Sequence, residues 1–530
     1  MRDLHSPGRS VAQGTRGAAA TSHQTATYVA LEVLRTGGNA VDAAVTACAL
    51  QGVIEPHNTG IGGDCFAFVW RNDTNRLHAL NGSGRAPQGL DLDRLRATGA
   101  TEIGLESVHS VTIPGAVDAW DRLLREHGTR TLADVLAPAI DYAERGFVLA
   151  ERTAADWRAQ EGRLALDEGA RQHLLTASGK APSAGEIIRF PALARTLRLI
   201  AAEGRDAFYR GAIARTLVET LKGLGGFHDL GDFAGHAMSE VTPISTKYRG
   251  VECMQIPPSG QGLTTLLMLN ILAGFDHAGL DPIGAERFHL QSEASRLAYH
   301  VRDAYIADPE FADVPVDELM TERFAARLRD RVDPRRAAPR DLAVPTVHHQ
   351  DTVYLTVVDG QGNVCSLINS LFHAFGSAKC CPKTGIALQN RGAGFRAVPG
   401  HPNVVAPGKR PLHTIIPGMA MKDGKPWLSF GVMGGAYQPV GQVHVLQNLV
   451  DFGMDVQGAL DAARGFRSTE AFEAERGVSD AVLIDLAQRG HPIRRVDVPW
   501  GGGQAILIDP DRGSLSAGSD PRKDGCALAF

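Results

Sequence analysis

No run in this sequence stays apolar long enough to cross a bilayer. The opening residues, MRDLHSPGRSVAQGTRG, carry basic side chains with no apolar segment behind them, so no secretory signal is expected and the cytoplasm is the expected compartment. Basic residues form no stripe, and a net charge of -5 argues against a nucleic-acid partner. Cysteine is scarce: seven in 530 residues, an odd number at no ligand-like spacing. Cys48 and Cys65 read as core or loop positions, and Cys365 falls in a strand-like run. Cys380-Cys381 is an adjacent pair in a Pro/Lys/Gly loop, where buried or loop thiols are expected before a redox or metal role. His348-His349 has no further His or carboxylate at helical spacing, so no metal is implied. Internal repeats and low-complexity tracts are absent too.

What is present is a chain 44% hydrophobic and 21% charged, long enough for several cores or one large composite core. It is organised around DTVYLTVVDGQGNVCSLIN, residues 351–369. Thr352, Tyr354, Thr356 and Val358 alternate with Val353, Leu355 and Val357, and β-branched or aromatic residues serve both faces. Asp359-Gly360-Gln361-Gly362 supplies the turn, and Val364 to Ile368 returns as a second strand. The pattern predicts a buried hairpin that begins at Thr352, behind a Pro-rich, charged loop over 334–350. A hydroxyl at such a junction suits a self-cleaving amidohydrolase, although most strand threonines are structural.

Residues 21–54 read as a helical hairpin, with Thr21 and Ser22 capping the first helix through Arg35 and Asn39 capping the second. The second helix, DAAVTACALQGV, is small and apolar nearly all round and should be buried. The glycine-rich IEPHNTGIGGD lacks the G-x-x-x-x-G-K of a phosphate loop, which favours close backbone packing. Arg85 ends a strand and a polar turn; it is either a solvated surface residue or a bidentate grip on a carboxylate. Ser110 to Trp120 reads as a strand, a Pro-Gly turn and a helix start. From 116 to 330 the pattern is mostly helical, broken by a strand near Tyr248 to Ile256 and the loop PPSGQG. Lys425 to Phe430 reads as a strand, after which Gly434-Gly435 opens a helix and presents backbone N–H groups suited to an oxyanion, or simply makes a turn that needs glycine. A β-hairpin closes the chain. Strand-rich stretches between helical ones suggest an α+β fold, an αββα sandwich with a helix-rich N-terminal portion, though pattern alone does not separate this from an ordinary α/β enzyme.

Several segments, GGNAVDAAVTACALQGVIEPHNTGIGGD, NGSGRAP, SVTIPGAVDAW, YRGVECMQIPPSGQGLTTLLMLNIL, DTVYLTVVDGQGNV, KRPLHTIIP, GVMGGAYQP and GSDPRKDG among them, together resemble the γ-glutamyltransferase family of N-terminal nucleophile hydrolases. They span residues 20 to the C-terminus in the family's order. The resemblance implies a proenzyme that cleaves itself between Asp351 and Thr352, giving a large subunit 1–351 and a small subunit 352–530 that together form one composite domain. It implies Thr352 as nucleophile and, through its freed amine, as its own base. Ser370 falls where the family has a second hydroxyl, Gly434 and Gly435 match its oxyanion glycines, and Arg85 matches the arginine that grips the substrate carboxylate.

The departures concern the substrate. Phe372 stands where γ-glutamyl enzymes have asparagine, Gly394 replaces the acidic residue that holds an α-ammonium, and a Ser-Ser pair becomes His413-Thr414. Arg391 is added three residues before Gly394, and Asn369 belongs to the same stretch, INSLFHAFGS, which looks like the oxamate amidohydrolase branch. An ammonium without a partner in a desolvated pocket costs several kcal/mol. A small acidic amide without an amino group is therefore expected, oxamate hydrolysed to oxalate and ammonia first among them. The alternatives are a γ-glutamyl hydrolase or transferase, an acylase for a larger amide with Phe372 in its pocket, and a binding protein that has lost catalysis. No cofactor is implied, since an amine base and backbone donors suffice. The large helical faces leave room for a dimer of processed heterodimers.

Overall fold

The computed structural model describes residues 8–338 and 352–530. Asp351 and the pair His348-His349 lie outside the described residues.

The hairpin forms where the alternation predicts it. Val353–Val358 pairs antiparallel with Val364–Ser370, in a register running from Val353 opposite Asn369 to Val358 opposite Val364. Every residue of both strands is buried. Tyr354, Val358, Val364 and Ile368 point to one hydrophobic cluster, while Leu355, Val357, Cys365 and Leu367 point to another. A strand apolar on both faces must be covered on both faces, and here one cover is a second sheet and the other a helix layer.

Two seven-stranded sheets stack in the middle. One runs Cys526–Ala529, Ala18–Thr21, Val353–Val358, Val364–Ser370, Asp64–Arg71, Arg76–Gly82, Ser239–Val241. The other runs Ala12–Gly14, Ser514–Ser519, Gly502–Asp509, Lys425–Met433, Gly418–Lys422, Val251–Gln255, Ile244–Tyr248. Phe66, Phe68, Tyr354, Ile368, Met419 and Ile506 fill the space between them. The helices Ala40–Ile54, Leu132–Arg145 and Pro191–Glu203 cover the first sheet. Gly262–Leu272, Ala285–Tyr305 and Gln438–Val450 cover the second. The fold is therefore the α+β sandwich, αββα, with strands from both sides of position 351 in each sheet. No helix among the described residues is long and apolar enough to cross a membrane.

Ala40–Ile54 is buried at every position, as its composition requires, and Asn39 caps it in a reciprocal capping box with Asp42. Three local expectations are corrected. The first helix, Gln24–Arg35, is capped by His23, whose ring accepts from Thr25 N–H. Thr21 is still in the sheet, opposite Cys526, so the helix cannot start there, and Ser22 donates to Glu55 instead. Ser110 to Trp120 contains no strand: a short turn, Val108–Ser110, leads through an extended segment to Ala116–His127. The Gly115 and Ala116 N–H groups bond Gly63 O, which lays that segment across the sheet end rather than along an edge. The single strand expected near Tyr248 to Ile256 is a hairpin, Ile244–Tyr248 with Val251–Gln255, turned by Arg249 and Gly250 at φ 48° and 88°. Of the cysteines, Cys48, Cys65, Cys253, Cys365, Cys380 and Cys381 are free and buried, and Cys526 is free and half-buried.

Candidate active site

Thr352 precedes the first residue of its strand and lies opposite Ser370, the last residue of the partner strand. Its Oγ1 is 3.0 Å from Ser370 Oγ, and both residues are buried. Ser370 Oγ also accepts from Phe372 N–H at 2.8 Å. Asn369 faces the other way: its Nδ2 donates to Thr59 Oγ1 at 2.7 Å and Gly60 O at 3.2 Å.

Across the sandwich, Thr356 Oγ1 lies 2.6 Å from Ser429 Oγ, and a Cβ on Gly431 would stand 2.4 Å from the Tyr354 ring. The two strands thus stack in opposite directions. Followed two residues further along each strand, this stacking runs from Tyr354 and Gly431 toward the ends at Thr352 and Met433, the latter followed in sequence by Gly434. Gly434 and Gly435 have φ of 119° and 56°, which glycine alone adopts without strain. They open a short turn, Gly435–Tyr437, that runs directly into Gln438–Val450, so their N–H groups are helix-end donors.

Phe372, Gly394, Thr414 and Ala436 line a cavity of about 450 Å³. Arg391 lies one side chain behind its wall. It is wholly buried, donates from Nη1 to Thr414 Oγ1 at 2.7 Å, and sits with its guanidinium carbon 4.1 Å from the Phe372 ring centroid. Its Nε and Nη2 have no hydrogen-bond partner among the described residues. Burial pushes the guanidinium down to about 9, against the pull of Asp64, and leaves it positive at neutral pH.

His413 does not open into the cavity. Its Nε2 donates to Asp64 Oδ2 at 3.0 Å and its Nδ1 accepts from Ile415 N–H, which sets the tautomer. Burial pushes it down to about 4, with the Arg391 charge adding to the effect, so it is neutral. Arg85 is engaged elsewhere: it donates to Glu310 Oε1 at 2.6 Å and Gly408 O at 2.9 Å. None of these bonds joins it to Thr352, Phe372 or Arg391.

Two residues central to this arrangement went unread in the sequence. Asp64 Oδ1 accepts from Gly84 N–H, Gly115 N–H and Gln389 Nε2, anchoring three loops besides His413. Its signal was a carboxylate at the end of a glycine-rich turn, entering an apolar strand. Gln261, between two glycines ahead of the apolar helix Gly262–Leu272, donates to Thr414 O at 2.7 Å and Gly435 O at 2.8 Å. A long amide in that setting needs buried partners.

A family profile described as gamma-glutamyltranspeptidase matches residues 26–530. The "Glutathione hydrolase-like YwrD proenzyme" of Bacillus subtilis is 36% identical, with 98% of this chain and 99% of that protein covered. The "Oxamate amidohydrolase proenzyme" of Klebsiella pneumoniae is 33% identical, with 97% and 99% covered. Among solved structures, cephalosporin acylase from Bacillus halodurans superposes with a TM-score of 0.93 at 38% identity, covering 100% of this chain and 98% of that one.

Proposed function

The chain belongs to the gamma-glutamyltranspeptidase family, and from that premise we propose that it is a self-processing N-terminal threonine amidohydrolase for amides whose acyl part carries a free carboxylate and no α-ammonium. Thr352 Oγ attacks the Asp351 carbonyl, replacing the amide with an ester and freeing the Thr352 amine; water then cleaves the ester. Subunits 1–351 and 352–530 result, interleaved in both sheets. The freed amine, with a reference pKa of about 8, takes the proton of its own hydroxyl as that oxygen attacks the substrate amide. The N–H groups of Gly434 and Gly435 stabilise the tetrahedral oxyanion. The amine returns the proton to the departing nitrogen, and water hydrolyses the acyl ester.

The observation that carries the substrate class is Arg391: a buried guanidinium behind Phe372 with two nitrogens, Nε and Nη2, that have no hydrogen-bond partner among the described residues. A carboxylate is the group that satisfies such a fork. An α-ammonium finds no equivalent, because among the lining residues the carboxylates are Glu102, exposed at the rim, and Asp303, already paired with Arg302. Oxamate is the smallest amide that fits this description and is the leading candidate. The cavity volume favours a second reading, an acylase for a longer dicarboxylic acyl group, since about 450 Å³ is far more than oxamate fills.

The test is intact mass of the protein beside Thr352→Ala, followed by turnover of oxamate, a glutaryl anilide and a γ-glutamyl anilide. Two fragments parted at Asp351-Thr352, an uncut variant, and turnover of oxamate or the glutaryl amide above the γ-glutamyl one support the proposal. An uncut wild type overturns the self-processing mechanism, and a preference for the γ-glutamyl amide overturns the substrate class.

A further inference from the structure

Backbone donors stabilise an oxyanion only if their peptide planes stay fixed. In a planar trans peptide the C=O and the following N–H point in opposite directions, so a held carbonyl fixes the next N–H. Three successive carbonyls of the glycine turn are held: the first fixes the Gly435 N–H directly, and the next two fix the N–H groups of Ala436 and of Tyr437, the latter being the donor that holds Gly434 O. Gly434 O accepts from Tyr437 N–H at 3.0 Å. Gly435 O accepts from Gln261 Nε2 at 2.8 Å. Ala436 O accepts from the Tyr299 hydroxyl. The turn has little rigidity of its own, being two glycines at positive φ.

Gln261 does more than hold one carbonyl. It is fully buried, and its amide also donates to Thr414 O at 2.7 Å. The Thr414 hydroxyl in turn accepts from Arg391. Gln261 Oε1 accepts from Arg302 Nη1 at 3.0 Å, which orients the amide and leaves both its N–H groups for the two carbonyls. Arg302 is itself fixed by Asp303, 2.8 Å from Nε. One side chain therefore spans the distance between the turn that would receive the oxyanion and the segment that supports the carboxylate receptor.

We infer that Gln261, oriented by Arg302, is a positioning residue for catalysis: it holds the Gly434–Gly435 turn and the Thr414 segment at the spacing that one acyl group must bridge. This rests on the reading of Thr352 as nucleophile and of the glycine N–H groups as oxyanion donors.

The test compares Gln261→Met, of equal length but without donors, and Tyr299→Phe, which removes only the hydroxyl, with the wild type. Rates are taken per processed chain on whichever amide of the panel the wild type turns over fastest. The expected result is a fall in kcat of about 10- to 100-fold for Gln261→Met, with KM within about twofold, and a smaller fall of the same kind for Tyr299→Phe. If Gln261→Met does not fold, Gln261→Glu, which keeps the oxygen that Arg302 bonds and loses the amide donors, decides in its place by the same fall in kcat. Unchanged kcat, or a raised KM with kcat intact, overturns the inference. Thr352→Ala runs in the same assay: turnover by that variant sinks the underlying nucleophile reading, whereas a dead Thr352→Ala beside a fully active Gln261→Met sinks only the role of Gln261.

Discussion

The guanidinium carbon of Arg391 lies 4.1 Å from the ring centroid of Phe372, and that ring separates it from the cavity. The ring face offers the cation a weak electrostatic partner, but it leaves Nε and Nη2 unpaired. A carboxylate that displaces the ring supplies what the ring lacks. Oxalate or glutarate should therefore stabilise the protein, by about 2.7 kcal/mol at a hundredfold excess over Kd. Thermal unfolding with and without the anion checks this, and an equal shift in Arg391→Gln would show the binding to be elsewhere.

Removing the Thr352 hydroxyl, as Thr352→Ala, should abolish cleavage and turnover together. Ser370→Ala removes the 3.0 Å contact to that hydroxyl and should slow both by roughly tenfold, the value of one hydrogen bond of about 1–2 kcal/mol. Intact mass over time and steady-state rates measure the two effects. A Ser370→Ala protein that processes at the normal rate would remove Ser370 from the mechanism.

Gly62 and Gly63 are packed against backbone: a Cβ would stand 2.0 Å from Ala387 O at the first and 2.3 Å from Ser370 O at the second. Alanine at either should destabilise by about 1–3 kcal/mol. Only Gly63→Ala should also slow processing, because its clash falls on Ser370. Gly162→Ala, in the helix Glu161–Leu164 with nothing within 4 Å, is the control and should not destabilise in urea unfolding.

Acid should weaken the fold through its buried histidines. Burial pushes His228 and His413 each down to about 4, against about 6.5 in the unfolded chain. Between those values the unfolded state binds more protons, so stability falls as pH drops from 6.5 toward 4. The full loss is about 3 kcal/mol per residue. Urea unfolding across that range should show the slope, reduced in His413→Gln; a flat profile would contradict it.

The parts legible in the sequence were those written in periodic pattern. The alternation from Thr352 to Val358 gave the hairpin and both of its covered faces. The all-apolar Ala40–Ile54 stretch announced its burial. Tertiary choices were less visible. Thr21 and His23 are both competent to begin a helix, and the pairing of Thr21 with Cys526, far along the chain, decides between them. Arg391 was a cation of undetermined place until the fold buried it behind Phe372. Asp64 and Gln261 act through partners scattered over the chain, from Gly84 to Gln389 and from Arg302 to Gly435, and no local spacing encodes such convergence.

The hydroxyls and glycines that would break the amide sit at strand ends: Thr352 just before Val353–Val358, Ser370 closing Val364–Ser370, Gly434 just after Lys425–Met433. Phe372, Arg391 and Thr414, which would choose the acyl group, sit in connecting segments outside those strands. A point change in the second set therefore alters what holds the acyl group without moving a residue of the first. A chain built this way is ready to acquire new substrates, and relatives named for glutathione, oxamate and cephalosporin share its scaffold.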